Sequence, residues 1–173
     1  MCDNEKKIVI SGQHNRRNIK KACKIEKKKL KTNSVPIISH HNQRCNINQI
    51  FIGDDFEHKK LYENEISKKI IGYKQQDKRK SIFNPEQLIT FDECVEKLMI
   101  SKLLCHYCKS NIYILYNNNL EQSQWTLDRI DNELCHSSIN VVICCLKCNI
   151  QRKNMDSEKF EFTKSLKLIK TND

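Results

Sequence analysis

Apolar and polar residues follow no sustained period through the first part of this chain. Residues 1–46 lack one altogether and are predicted to be irregular, whereas 47–56 has the apolar density of a short strand. Helical spacing begins at 57–71, with Gly72 as the expected C-terminal stop. The polar run 74–80 is predicted to be a linker, so the pattern separates an N-terminal region from the rest.

The pattern is clearer after this linker. Thr90 and Glu93 have the spacing of a capping box, and the apolar stripe that follows predicts a helix over 91–103. Another helix is predicted from Asp156 or Ser157, because the apolar residues after them recur three and four positions apart. Both stripes are typical of helices that pack against a core.

Between these two helices the period changes to two. A strand is predicted over 112–116. A second strand, around Trp125 and Leu127, is expected to bury both side chains and to turn Asp128 toward an open side. A third strand near Val141 leads directly into a helix, so this part of the chain is predicted to be strands followed by a helix.

Positive charge is concentrated in the N-terminal region. The 173 residues include 31 Lys and Arg against 21 Asp and Glu, a net charge of +10. Counted along the sequence, residues 1–80 hold 20 against 9 and residues 81–173 hold 11 against 12. Because such a surplus can neutralise phosphates and release counterions, residues 1–80 are predicted to contact nucleic acid. A solvated lysine-rich tail is the alternative.

Neither a membrane span nor a secretory signal is evident in the sequence. The apolar runs are only a few residues long, and the N-terminus turns polar soon after the triplet at residues 8–10. The protein is therefore expected to be intracellular and not secreted. In a reducing compartment, its ten cysteines favour metal binding over a disulfide framework.

Two Cys-x-x-Cys pairs are the strongest chemical signal. Cys105 and Cys108 form the first, Cys145 and Cys148 form the second, and 36 residues separate the two pairs. Four thiolates at about 2.3 Å would complete a tetrahedral zinc site with no position left for water, so the ion is expected to be structural. Buried free thiols are the alternative reading. Cys144 is the substitute ligand if the register differs.

Several motifs within residues 104–153 agree with one another. They are Leu127-Asp128 and Arg129-Ile130-Asp131-Asn132 in one strand, Asn140-Val141 before the next, Cys148-Asn149, and Arg152 as the last residue of the motif. In this order, with a Cys-x-x-Cys pair on either side, the chain resembles the HNH endonucleases. The Leu-Asp-Arg-Ile-Asp-Asn run is similar to nucleases of phages and large DNA viruses, which implies a viral protein acting in an infected host cell.

This resemblance implies a fold and a metal site. The fold class is α+β: a zinc-stabilised ββα-metal (HNH) module with flanking helices in 81–173, and a basic, partly disordered region in 1–80. A catalytic Mg²⁺ or Mn²⁺ is implied on Asp128 and Asn149, since hard oxygen ligands suit these ions. Asn140 takes the middle position of the motif, where the side chain braces a loop.

Arg129 departs from the family pattern. Most members have at this position the histidine that accepts a proton from the attacking water, and an arginine cannot do so near neutral pH. Arg129 is expected to clamp a phosphate, with an ion pair to Asp128 or Asp131 as the alternative. His136 is then the first candidate for the general base, and Asp131 is the second.

The predicted function is metal-dependent hydrolysis of DNA phosphodiester bonds, as a nick or a double-strand cut. Asp128, Arg129, His136, Asn140 and Asn149 are the predicted catalytic residues. The predicted nucleic-acid contacts are Arg129, Lys147, Arg152 and Lys153. RNA is a less favoured substrate, and the alternative function is a non-catalytic, zinc-stabilised nucleic-acid-binding module derived from a nuclease.

Overall fold

The computed structural model describes residues 35–166 together with Gly12 and Gln13. These residues form a mixed fold of five helices and one two-stranded antiparallel sheet, as the sequence predicts at this level. In chain order the elements are α1 (His40–Ile52), α2 (Lys59–Arg79), α3 (Phe91–Ile100), β1 (Trp125–Arg129), β2 (Val141–Cys145), α4 (Leu146–Arg152) and α5 (Ser157–Ser165). Within this part of the chain, no helix combines the length and apolarity needed to cross a membrane.

The two strands and α4 form a hairpin followed directly by a helix. In the hairpin Leu127 lies opposite Ile143, and both are buried in the core. The strand positions and the helix after them are confirmed. The predicted exposure of Asp128 is wrong, because Arg152 of α4 lies against its carboxylate and the residue is only 6% exposed.

The start of α3 is confirmed by its cap. The side chain of Glu93 accepts the backbone N–H of Thr90 at 2.8 Å, and the Thr90 hydroxyl accepts the backbone N–H of Glu93 at 3.3 Å. The helix ends earlier than predicted, at Ile100. Lys102 and Leu103 then take positive φ angles of 54° and 52°, which turns the chain toward the first cysteine pair.

The predictions of irregular chain up to residue 46 and of a strand over 47–56 are wrong for α1. Ile47 and Ile50, three positions apart, are the buried apolar residues of this segment, whereas Phe51 and Ile52 are exposed. The spacing of the buried residues is therefore helical. Gly53, with φ of 83°, ends the helix in the left-handed conformation that glycine adopts without strain.

Helix α2 is also longer than predicted. It continues through Gly72 and through the predicted linker 74–80, and it ends at Arg79. The stripe that starts with the buried Tyr62 and Ile66 continues to Asp77, which has no exposed surface. Ile47, Tyr62 and Ile66 belong to the same hydrophobic core as Trp125, so α1 and α2 fold together with the hairpin.

The predicted strand over 112–116 is not formed, because the chain bends at Ile114 and Leu115, where α1 holds it. The Gln43 side-chain oxygen accepts the N–H groups of Ile114 and Leu115 at 2.8 and 3.1 Å. Its amide nitrogen donates to the carbonyls of Leu115 and Ile38 at 3.3 and 3.1 Å. One buried side chain thus satisfies backbone groups that a neighbouring strand would otherwise pair.

Gln43→Ala should destabilise the protein by roughly 2–4 kcal/mol, because it leaves several buried backbone groups without partners. Urea-induced unfolding measures the loss. Asn48→Ala, at an exposed position of the same helix, is the matched control and should change stability by less than about 0.5 kcal/mol. Similar losses in the two variants would contradict the proposed role of Gln43.

Candidate metal centre and active site

Four cysteine thiols come together as the two Cys-x-x-Cys pairs predict. The sulfur atoms of Cys105, Cys108, Cys145 and Cys148 all lie within 4.8 Å of one another. The Cys108 and Cys145 sulfurs are 3.8 Å apart, which equals the edge of about 3.8 Å of a tetrahedron with zinc–sulfur bonds of about 2.3 Å. The cluster can therefore hold a structural metal ion such as zinc.

Backbone N–H groups support the thiols. The N–H of Cys145 donates to the Cys105 sulfur at 3.3 Å, and the N–H of Cys148 donates to the Cys145 sulfur at 3.4 Å. The pKa of Cys105 is lowered to about 4, chiefly by the hydrogen bond from the Cys145 thiol and also by backbone N–H groups. Cys144 lies outside the cluster, where its sulfur contacts the Thr126 hydroxyl, so no substitute ligand is needed.

A cleft of about 570 Å³ lies between α2, β1 and α4. Four of the five predicted catalytic residues line it, namely Asp128, Arg129, His136 and Asn149. Six lysine and arginine side chains line it in all, against two carboxylates. The cationic side chains are Lys68, Lys69, Arg79, Lys80, Arg129 and Lys153, and the acidic ones are Glu65 and Asp128.

Asn149 projects from α4 toward β1. Its side-chain nitrogen donates to the Leu127 carbonyl at 3.1 Å and to the Thr126 hydroxyl at 3.2 Å. These bonds fix the amide plane. Its side-chain oxygen has no hydrogen-bond partner in the described part of the chain and so can serve as a ligand.

The Asp128 carboxylate accepts three hydrogen bonds. Arg152 donates to its two oxygens at 2.5 and 3.0 Å, and the Tyr107 hydroxyl donates at 2.7 Å. Two of the three bonds fall on Oδ2 and one on Oδ1. A carboxylate offers about four lone-pair positions, so one position remains on Oδ1.

Arg152 is buried, and its prediction as a nucleic-acid contact is wrong. Only 1% of the residue is exposed, and its guanidinium donates to Asp128 and to the carbonyls of Met155 and Arg129. The hydrogen bonds of the Arg152 side chain thus hold α4 against the hairpin. Of the other predicted contacts on this helix, Lys153 is exposed and lines the cleft, whereas Lys147 is exposed outside it.

Arg129 forms neither of the ion pairs considered as alternatives. Its Nη1 donates to the carbonyls of Asn132 and Leu134 at 3.0 and 3.1 Å and lies 3.9 Å from the carboxylate of Asp77. Arg129 therefore braces the loop that leads to His136. Because the residue is 4% exposed, contact with a phosphate is restricted to its edge on the cleft.

Asn140 and Asp131 lie away from the cleft. The Asn140 side chain accepts the N–H of Asp131 at 2.9 Å and donates to the carbonyls of Asp131 and Cys135 at 2.9 and 3.0 Å. These are the loop-bracing contacts implied for this position. The Asp131 carboxylate accepts the N–H of Glu133, which caps a turn and places this second candidate base outside the cleft.

His136, the first candidate base, lies in the cleft and contacts α2. Its Nδ1 is 2.6 Å from one oxygen of Asp77, and its backbone N–H donates to the other oxygen at 2.9 Å. The ring stacks on Tyr73, with centroids 4.6 Å apart. Burial lowers the pKa of His136, against the opposing effect of Asp77, so the imidazole is neutral at pH 7 and can accept a proton.

Sequence reasoning missed Asp77 and Tyr73. Tyr73 lies seven residues after Ile66 and Asp77 four residues after Tyr73, so both continue the stripe that Tyr62 and Ile66 begin. The sequence predicts that this stripe stops at Gly72. Asp77 is also the one carboxylate in the otherwise basic or polar run 74–80. Helical spacing continued past the glycine is the signal that identifies both residues.

Comparisons with known proteins find no family model, no curated protein and no solved structure that matches this chain. The functional assignment must therefore be argued from the site.

The purified protein should contain one zinc ion per chain, and Cys148→Ser should remove it. Loss of the ion should lower Tm by about 10 °C or more, because metal binding contributes directly to folding. Metal analysis and thermal unfolding measure both effects. Cys45→Ser, at an exposed cysteine outside the cluster, should retain the zinc. Full zinc occupancy in Cys148→Ser would contradict the assignment.

The stability of the protein should fall as pH is lowered through and below 6.5. The folded-state pKa of His136 is lowered from 6.5, so the unfolded chain binds this proton more readily. The contribution is complete above the unfolded-state pKa and is lost on acidification. Urea unfolding at several pH values should show a weaker dependence in His136→Gln, with the exposed His41→Gln as control. Parallel curves for wild type and His136→Gln would overturn this expectation.

Proposed function

We propose that this protein is a metal-dependent, HNH-type endonuclease that hydrolyses the phosphodiester bonds of DNA. The observation that carries the proposal is one cleft, on a hairpin followed by a helix, lined by Asp128, Asn149 and His136. Together they offer two oxygen ligands and a neutral base.

The charge of the cleft supports an anionic polymer as substrate. Cationic side chains outnumber carboxylates six to two along its walls. They come from α2 and the residue that follows it, from β1, and from the residue that follows α4. Positive charge on several walls raises the local concentration of a polyanion and contacts consecutive phosphates.

Asp128 and Asn149 are the proposed ligands of the catalytic ion. Asp128 retains one lone-pair position on Oδ1, and the Asn149 oxygen has no partner among the described residues. Neutral and charged oxygen ligands of this kind suit Mg²⁺ or Mn²⁺. A divalent ion held by these two residues would supply charge stabilisation for the phosphate and for the leaving 3′ oxygen.

His136 is the proposed general base. Its neutral imidazole accepts a proton from the attacking water at Nε2, the nitrogen that does not contact Asp77. Arg129 takes no part in proton transfer and instead holds the loop that carries His136, through the carbonyls of Asn132 and Leu134. The arginine at the usual histidine position is thus compatible with catalysis from a different element.

A non-catalytic nucleic-acid-binding module is the second candidate function. The observation that favours it is the engagement of Asp128, whose carboxylate already accepts three hydrogen bonds. In that reading the carboxylate only neutralises the buried Arg152. DNA binding without cleavage, in the presence of either metal ion, would decide for this candidate. RNA substrates belong in the same assay, since phosphodiester hydrolysis does not itself distinguish ribose from deoxyribose.

The protein should convert supercoiled plasmid into nicked or linear DNA with Mg²⁺ or Mn²⁺. Asn149→Ala and His136→Gln should each slow cleavage by about 100-fold or more, because one removes a ligand and the other the base. Both should retain the zinc. Asp128 is left intact, since truncating it would leave Arg152 buried without a partner at a cost of about 3–5 kcal/mol.

Lys60→Ala is the charge-matched control for cleft lysines. Lys60 is exposed on α2 and does not line the cleft, whereas Lys68 and Lys80 do. Lys68→Ala and Lys80→Ala should weaken DNA binding and reduce its dependence on salt by about one counterion each, while Lys60→Ala should not.

Plasmid left intact by the wild-type protein with both metals would refute the nuclease assignment.

A further inference from the structure

We propose that Asp77 of α2 is a positioning residue that fixes the proton of His136 on Nδ1 and leaves Nε2 free toward the cleft. The inference rests on the proposed function in one respect, namely that His136 acts as the base. The arrangement of the proton itself can be measured without any activity.

Asp77 contacts His136 through both of its carboxylate oxygens. One oxygen of Asp77 lies 2.6 Å from the ring Nδ1 of His136, and the other accepts the backbone N–H of the same residue at 2.9 Å. The carboxylate therefore fixes both the ring and the backbone that carries it. Tyr73, one turn before Asp77 on α2, stacks on the ring at an interplanar angle of 28° and limits its rotation.

The chemistry of a carboxylate decides the tautomer. An ionised carboxylate only accepts hydrogen bonds, so the Nδ1 atom that faces Asp77 must carry the proton. In a neutral imidazole the other nitrogen, Nε2, then carries a lone pair and no proton. No hydrogen-bond partner for Nε2 lies among the described residues, and His136 lines the cleft. The nitrogen that can accept a proton is thus the one left for the substrate side.

The charges around this pair are balanced. Asp77 has no exposed surface, and Arg129 of β1 lies 3.9 Å from it. Burial has the largest effect on the pKa of His136 and lowers it, Asp77 raises it, and Arg129 and Lys80 lower it. Tyr73 of α2 also faces the ring, and its hydroxyl accepts the N–H of Leu127 at 2.8 Å. Asp77 can therefore orient the ring while the ring remains neutral.

A purely structural role for Asp77 makes a different prediction. A residue that only joins α2 to the loop of His136 needs one oxygen to accept the backbone N–H of His136. It does not require the second oxygen to lie on the ring at 2.6 Å. The position of the ring proton therefore separates a positioning role from a structural one.

Asp77→Asn tests this, because an amide of the same shape offers one acceptor and one donor. If its oxygen keeps the backbone N–H of His136, its NH₂ group faces Nδ1, which must then accept, so the proton moves to Nε2. The ¹⁵N chemical shifts of the imidazole report the tautomer, with His136→Gln identifying the signals. We expect Nδ1–H in the wild type and Nε2–H in Asp77→Asn at pH 7.5.

The same variant should slow plasmid cleavage by about 100-fold, and by no more than His136→Gln does, because a base held in the wrong tautomer cannot accept the proton. DNA affinity should not change. Tyr62→Phe is the matched control, because Tyr62 lies on α2 outside the cleft and its hydroxyl accepts a partly buried hydrogen bond from Asn46 of α1. It should affect stability but neither the tautomer nor the cleavage rate.

Each outcome decides the inference. A wild-type His136 with its proton on Nε2 overturns it, whether or not Asp77→Asn folds. So does an Asp77→Asn protein that keeps the Nδ1 proton, or one that cuts DNA at the wild-type rate. A wild-type protein that does not cut DNA refutes the proposed function instead, and the tautomer then still decides whether Asp77 orients His136.

Discussion

The four-cysteine cluster is the constraint on which the rest of the site depends. The sheet consists of two strands of five residues each, which is too little to be stable alone in water. The cluster joins the turn after α3 to the first turn of α4, and the N–H of His106 in that turn donates to the Ile143 carbonyl at 2.9 Å. Because the middle and the C-terminal end of β2 are thereby held, the hairpin keeps one register and α4 one direction.

A second constraint acts at the opposite end of α4. Arg152 and Asp128 form a buried ion pair, and such pairs contribute little net stability because both charges lose their hydration. The pair does, however, hold the Asp128 carboxylate in one orientation, in which Oδ2 accepts two hydrogen bonds and Oδ1 accepts one. The role of this ion pair is therefore to orient the Asp128 carboxylate, since it adds little to the free energy of unfolding.

The parts of the fold with local signals could be predicted from the sequence. The capping box gave the start of α3, period-two alternation gave both strands, and the Cys-x-x-Cys spacing gave the cluster. The errors lie where distant residues decide the outcome. The segment 112–116 is not a strand because the Gln43 side chain satisfies its backbone. The sequence predicts Arg152 as a surface cation, since nothing local shows that Asp128 and three carbonyl or amide groups surround it.

Helix α2 changes how the basic N-terminal region is understood. A surplus of positive charge in a tail would raise affinity for nucleic acid without regard to position. Part of that surplus instead lies on α2, where Lys68 and Arg79 line the same cleft as His136. Because Asp77 of the same helix also contacts His136, any substrate held by these cations lies beside the candidate base. In the proposed nuclease, α2 would therefore contribute both to substrate binding and to the placement of the base, as the hairpin does.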